Sequence, residues 1–383
     1  MRPSVDFDPG FSTETARGIW SSEARVRRFC EVEVALAHAC AETGLIPQRA
    51  ADDIERAVTQ LPLDASALLA EGWQSGTPIV VLLRHLRDAV GPAAAAFLHF
   101  GATSQDIIDT ATMLQGREAL TDLASTLEAV SDALAAMIER HPRDWVIGRT
   151  LMQPAVPMRF AFRLARWLEP VLEHLETIRA AVAALPVQLG GPVGDLFTFA
   201  DRAPAVVEAF AGRLGLAVPT ISWHTDRRPI RALASAGATS ATIAAAVASD
   251  LLLLSQREIG EIRLPAGGSS SMPHKKNAMV AVRALAAARA CHGVSGILAG
   301  APPHELERAA GSWQSEWFAL PMVFHTAAAA LEALREAVLA MEFNAERAAE
   351  NLGGASLPNP AEADRLVALV VERHRRLRKR LSP

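Results

Sequence analysis

The chain has 383 residues, half of them hydrophobic and 21% charged, a globular composition with length enough to bury a large core. A formal net charge of −4 leaves no overall positive field for nucleic acid or an anionic membrane, so neither is an expected partner and any anion site must be local. Cys30, Cys40 and Cys291 are odd in number and lack metal-ligand spacing, which predicts reduced core thiols and no metal, and the opening MRPSVDFDPGF lacks a secretory pattern, which makes the cytoplasm the expected compartment.

Before Gly101 the helical patterns are short, with breaks at Pro47 and Pro62, and residues 1–100 are expected to form an N-terminal helical domain. The polar stretch HFGATSQDIID, 99–109, then opens a long helix. Its seam is Leu120, Leu123, Leu127, Val130, Leu134 and Met137, alternating three and four apart as a helix bundle requires. Thr103 followed by Asp106 reads as a helix start, Ser104 is a second candidate cap, and Gly101 permits close approach of a ligand near His99.

Next comes GRTLMQPAVP, 148–157, which offers the guanidinium of Arg149, the hydroxyl of Thr150 and the amide of Gln153. It precedes a second seam, Leu164, Leu168, Val171, Leu175, Ile178, Val182 and Leu185, in which Pro170 should cause a kink. WHTDRR, 223–228, sets Trp223, His224 and Arg227 before a third long helix from about Pro229 to Ile259. Within it Ala232 to Ser249 carry no charge, nearly a membrane span in length, but the small residues favour a helix enclosed by other helices.

A fourth helix is expected from Asn277 to Leu298 and a fifth over about Trp317 to Met341, with no convincing strand alternation anywhere. The fold class is thus all-α, with a central long-helix bundle domain over 101–342. Helices this long exceed the globular mean of about 11–12 residues, so other subunits are expected to bury them. GGASLPNP, 353–360, reads as a linker, and ERHRRLRKRL as a solvated basic helix end within a truncated C-terminal segment, 343–383. Each polar stretch is expected at a helix start, where free backbone N–H groups bind anions.

The loop GGSSSMPHKKN, 267–277, combines glycines, hydroxyls and fixed positive charge, the means of stabilising a serine alkoxide. Here the sequence resembles the fumarase/aspartase superfamily, whose signature Gly-Ser-Ser-x-Met-Pro-x-Lys-x-Asn is matched by Gly268, Ser269, Ser270, Met272, Pro273, Lys275 and Asn277. The resemblance covers roughly residues 10–350, through IWSSEARVRRFCEVEVALA, HFGATSQDIIDT, QLGGPVGDL and ERAAGSWQSEW. It implies a homotetramer with a central bundle of twenty helices, active sites each shared between three subunits, and no metal or organic cofactor.

It also implies proton transfer at a carbon next to a carboxylate while a group leaves or adds at the neighbouring carbon. The GATSQD, WHT-x-R and ER-x-x-G-x-W-x-x-EW wording is most similar to cycloisomerases of aromatic-acid breakdown, in which the substrate's own carboxylate closes a lactone. A lyase acting on another substituted succinate, adenylosuccinate lyase-like, and a catalytically inactive structural relative are the alternatives.

By position the resemblance makes Ser269 the acid or base at carbon, and gives Lys275, Asn277 and Glu307 to the catalytic set. A di- or tricarboxylate would be held by His99, Thr103, Ser104, Arg149, Thr150, Gln153, His224, Arg227, Ser270, Met272 and Arg308. Leu151 departs from the lyases, which carry there a His acting as acid on the leaving group; an internal carboxylate needs no such proton. Leu151, Pro154 and Leu306 also replace Trp, His and His of familiar cycloisomerases, and Ala278 replaces Pro. Gly267 and Gly268 suggest a lid, mobile without ligand, that brings Ser269 over the substrate.

Overall fold

The computed structural model describes residues 8–268, 270–272, 274–300 and 303–379. The N-terminal part folds into α1 (Glu14–Ile19), α2 (Ser22–Glu42), α3 (Gln48–Gln60), α4 (Ala65–Gln74), α5 (Pro78–Val90) and α6 (Pro92–Ala95). Then follow α7 (Ser104–Arg140), β1 (Trp145–Thr150), β2 (Gln153–Arg159), α8 (Phe160–Ala183) and α9 (Ala203–Leu214). The remainder comprises α10 (Arg228–Leu254), β3 (Ile262–Arg263), α11 (Met279–Ala299), α12 (Ser312–Leu339), β4 (Glu342–Phe343), α13 (Ala345–Leu352) and α14 (Ala361–Lys379).

The seams behave as their spacing requires. Leu120 through Met137 on α7 and Leu164 through Ile178 on α8 are buried against one another, and α8 continues unbroken through Pro170. With α10, α11 and α12 they form one apolar cluster, and Gly237 marks a tight approach: a Cβ there would lie 2.7 Å from Cγ1 of Val323. A second cluster joins α2 to α5 with the start of α7, α9 and Trp313. Cys30, Cys40 and Cys291 are free and buried, and burial pushes the thiols of Cys30 and Cys40 up to about 12.

Three expectations need correction. The segment 148–157 does not lead directly into a helix: β1 and β2 form an antiparallel hairpin, with Arg149 opposite Pro154 and Thr150 opposite Gln153. Gly148, Pro154 and Pro157 obscure its strand character, since glycine and proline are depleted from strands. The two turn residues, Leu151 and Met152, have φ of 47° and 66°, the positive values of a two-residue hairpin turn, without the usual Asn-Gly.

Second, α10 is not enclosed on every side within the chain. Ile230, Leu233, Ala241, Ala244, Val247 and Leu251 are buried, while Ala232, Ser235, Thr239, Thr242 and Ala246 form an exposed uncharged stripe. Third, the basic tail is docked, not merely solvated. Arg373 pairs with Glu169, Glu173 and Glu176 of α8, and Arg375 and Arg378 reach Glu139, Glu128 and Asp132 of α7. Val371 and Leu377 are the buried apolar contacts beneath that layer of charge, with Val367 and Val370 packed partly buried beside them.

Candidate active site

The sequence-predicted residues fall into groups that one chain holds apart. The first surrounds the start of α7. Asp106, in the first helical turn, is wholly buried: its Oδ2 accepts the backbone N–H of Thr103 at 2.9 Å and of Gly191 at 2.9 Å. Its Oδ1 accepts Nε2 of His224 at 2.7 Å. One carboxylate thereby ties the helix end to the QLGGPVGDL loop and to the WHTDRR turn. Gly101 packs so closely that a Cβ there would stand 2.5 Å from Cζ of Phe199, and its φ of +69° excludes most side chains as well.

Arg227 lies deeper, between two acids. Its Nη1 and Nη2 donate to the two oxygens of Asp109 at 2.6 and 3.0 Å, while Nε and Nη2 donate to Glu316 at 3.0 and 2.6 Å. Burial alone would weaken its charge, but Asp109 and Glu316 outweigh that and hold the guanidinium firmly protonated. Burial chiefly raises the pKa of Glu316, and Arg227 opposes the rise. Arg227 is therefore spent on its own acids, whereas His224 gives Nε2 to Asp106 and keeps a buried Nδ1 with no hydrogen-bond partner among the described residues.

Arg308 closes the group from outside. Its Nε donates to Oε1 of Gln105 at 3.1 Å, and the Gln105 amide passes the connection on to Asp109 at 3.1 Å. Glu307 beside it is exposed. Thr77 donates to Oγ of Ser104 at 3.1 Å, and Nδ1 of His99 donates to Glu33 at 2.7 Å. Sequence reasoning missed Glu33, Thr77, Gln105, Asp109 and Glu316 as neighbours of the site. The one signal available was the acid three residues beyond Asp106, on the same helix face.

His304 was missed as well. Leu306, standing where relatives carry His, is 85% exposed, with a φ of +48°. His304 turns inward instead: its side chain is 2% exposed, Nε2 lies 3.5 Å from Glu316, and neither ring nitrogen has a hydrogen-bond partner among the described residues. Burial, then the charge of Arg227, push its pKa down, so the ring is neutral near pH 7.

The second group is the hairpin. Arg149 is held by Glu261 at 2.8 Å, and that wholly buried carboxylate also accepts Arg163 at 3.0 Å and Asn351 at 3.0 Å. Thr150 and Gln153 project at the exposed tip beside Leu151, which is 97% exposed, and Met152, which is 67% exposed.

The third group is the signature loop, closed at its base where Gly267 N–H donates to the Asn277 carbonyl at 2.8 Å. The Asn277 amide donates to Gly268 at 3.0 Å, so this side chain braces the loop. Ser270, Met272 and Lys275 are exposed, whereas Ser269 and Pro273 lie outside the described residues, and with Ser269 much of the lid expectation. A cleft of 570 Å³ adjoins the loop, lined by Arg257, Arg263, Lys276, Asn277 and Arg347 among others.

The cleft beside the signature loop is lined by residues of neither of the other two groups. Thr103 and the hairpin stand at opposite ends of α7, whose 37 residues span about 55 Å at about 1.5 Å per residue. Hydroxyls, guanidinium and ammonium groups able to bind carboxylates are all present.

Residues 9–290 match a family model described as Lyase. The chain is 36% identical over 344 residues to a 3-carboxy-cis,cis-muconate cycloisomerase of Acinetobacter baylyi, covering 87% of this chain and 76% of that protein. It is 37% identical over 350 residues to a nitrosuccinate lyase of Streptomyces davaonensis, covering 87% and 73%. Among solved structures, the 3-carboxy-cis,cis-muconate lactonizing enzyme from Pseudomonas putida matches with a TM-score of 0.85 at 31% identity, covering 98% of this chain and 88% of that one.

Proposed function

Since the chain belongs to this Lyase family, we propose that it is a cycloisomerase that closes 3-carboxy-cis,cis-muconate to 4-carboxymuconolactone in the cytoplasm. The observation that carries the reading is that relatives bearing this activity in their names match nearly the whole chain. Leu151 agrees with it: the hairpin tip offers no imidazole to protonate a leaving group, and ring closure by a carboxylate requires none.

In the forward direction one substrate carboxylate oxygen forms a C–O bond at a double-bond carbon. The electron pair moves onto the neighbouring carbon and its carboxylate, and that carbon takes a proton. Ser269 delivers the proton, with Lys275 balancing the charge on the intermediate. Thr103, Ser104 and the α7 N-terminus hold a second carboxylate through hydroxyl and N–H donors. Thr150 and Gln153 come from a hairpin of another copy.

A homotetramer supplies those copies. It is supported by the length of α7, the exposed Leu151 and Met152, and the uncharged stripe on α10, surfaces that a neighbouring chain would cover. The test is loss of the conjugated-diene absorbance of 3-carboxy-cis,cis-muconate, compared with Ser269→Ala. A folded tetramer that leaves the absorbance unchanged refutes the reading.

A second reading is elimination from another substituted succinate, favoured by the similarity to a nitrosuccinate lyase and by Pro154 and Leu306. Release of nitrite from nitrosuccinate, or formation of fumarate from adenylosuccinate, with no lactone formed, would establish it. Inactivity on all of them would leave the inactive structural relative.

A further inference from the structure

Glu33 is an acid in an unusual place. It sits in the middle of α2 with its side chain fully buried; Oε1 accepts Nδ1 of His99 at 2.7 Å, and Oε2 is buried without a hydrogen-bond partner among the described residues. A buried carboxylate left half-satisfied is destabilising by several kcal/mol unless a cation accompanies it, on the order of the penalty for a buried unpaired charge. The imidazole ring of His99 is the group placed to become that cation.

The backbone fixes where the ring stands. His99 has a φ of 60°, its carbonyl accepts the Ala102 N–H at 3.3 Å, and Gly101 is wedged on Phe199. This turn ends at Thr103, the cap of α7, so His99 is anchored within five residues of the proposed carboxylate-binding hydroxyls of Thr103 and Ser104. Nδ1 is engaged by Glu33, and Nε2 remains for a ligand.

We propose that Glu33 is a positioning residue that grips His99 through Nδ1, so that His99 meets a substrate carboxylate as a charged donor through Nε2. The inference rests on the reading of His99 as part of the substrate site. The charged groups around the ring come from different helices: Glu33 on α2 and Asp106 on α7 favour the imidazolium, and Arg87 on α5 opposes it. Burial also opposes it, but the Glu33 charge and hydrogen bond prevail and hold the pKa above that of an ordinary imidazole. A neutral amide in place of Glu33 would keep the shape and an acceptor while removing the charge.

The experiment follows the His99 resonance in ligand-free tetramer carrying ¹³Cε1-labelled histidine, assigned with His99→Asn, through a pH titration of wild type and Glu33→Gln. The expected result is a titration above about 6.5 in the wild type that falls by about one unit or more in Glu33→Gln, as loss of an adjacent opposite charge requires. With the tricarboxylate substrate at pH 7.5, KM should rise about tenfold in the variant while kcat changes little, the pattern of a lost binding charge.

A merely structural Glu33 would lower stability and leave the His99 titration in place, which would overturn the proposal. If Glu33→Gln fails to fold, the wild-type titration decides by itself, because a His99 midpoint at or below the ordinary value contradicts the dyad. The titration needs no substrate. Failure of the cycloisomerase reading would therefore appear as a blank turnover assay with the dyad intact, distinct from failure of this inference.

Discussion

Replacing Arg227 with Met removes the charge that joins Asp109 and Glu316 while keeping an unbranched side chain in the space. Both acids are almost wholly buried, with side chains 2% and 7% exposed, and five hydrogen bonds from the guanidinium end on them. Breaking a buried pair by removing one partner costs about 3–5 kcal/mol, because the charge left behind has neither water nor a counter-ion. For a chain of 383 residues, an unfolding entropy of about 2.1 cal/mol/K per residue gives about 0.8 kcal/mol/K, so Tm should fall by about 4–6 °C.

The deficit should depend on pH. Glu316 is an acid whose folded pKa burial raises above its ordinary 4.5, so its protonated form is the one the fold favours. Stability associated with it is present below the unfolded pKa and is lost as pH rises through the folded one. Without Arg227 to oppose that rise, the folded pKa climbs further and the loss extends to higher pH. Differential scanning fluorimetry of wild type and Arg227→Met should show a Tm gap that is widest near pH 8 and narrows toward pH 5. A gap under about 1 °C at pH 8 corresponds to less than about 1 kcal/mol and would refute the claim that Arg227 holds two buried acids; a gap independent of pH would refute the sign.

Gly101→Ala should destabilise by about 1–2 kcal/mol, since a Cβ would meet Phe199 at 2.5 Å on a backbone at φ +69°; an unchanged Tm would contradict the wedge. Changing the turn Leu151-Met152 to Asn-Gly removes two left-handed side chains at φ of 47° and 66° and should relieve about 1 kcal/mol or more per residue within the hairpin. If those side chains seal a subunit contact, size-exclusion chromatography with light scattering should show the tetramer weakening despite that gain, and an unaffected tetramer would remove them from the interface. Arg373→Glu, or about 0.5 M salt, should loosen α14 from its acidic bed and expose 361–379 to hydrogen exchange, because these partly exposed pairs are screened by ions. Unaltered protection would assign the docking to Val371 and Leu377 instead.

How much of this was legible in the sequence depended on range. The α7 and α8 seams could be read because helical spacing is local: Leu120 to Met137 and Leu164 to Ile178 are inside, while Val182 is only half-buried and the buried Leu185 lies beyond the end of α8. The hairpin was illegible because its pairing rests on a turn lacking the Asn-Gly signal and on strands interrupted by glycine and proline. The tail was misjudged because its partners on α7 and α8 lie some 200 or more positions away in most cases, with separations such as 204 and 250. In the site, the signature loop and the polar helix start could be recognised by their residues. What holds them could not, since Gln105 to Arg308 and Arg227 to Glu316 bridge 203 and 89 positions.

That division has a physical meaning. At the α7 end, nearly every charge is already answered within the chain: Asp106 by two N–H groups and His224, Asp109 and Glu316 by Arg227, Glu33 by His99. Such a network fixes positions and leaves few donors free, so it suits a preorganised cradle for one carboxylate. At the hairpin tip and the signature loop the opposite holds, with Thr150, Gln153, Ser270 and Lys275 exposed and apolar Leu151 beside them. Groups in that condition do not orient a substrate alone. The cradle comes folded with the chain, and in the proposed homotetramer the reacting side of the site is completed by other chains, which couples activity to assembly: dilution that dissociates such a tetramer should abolish turnover while leaving the His99–Glu33 titration unchanged.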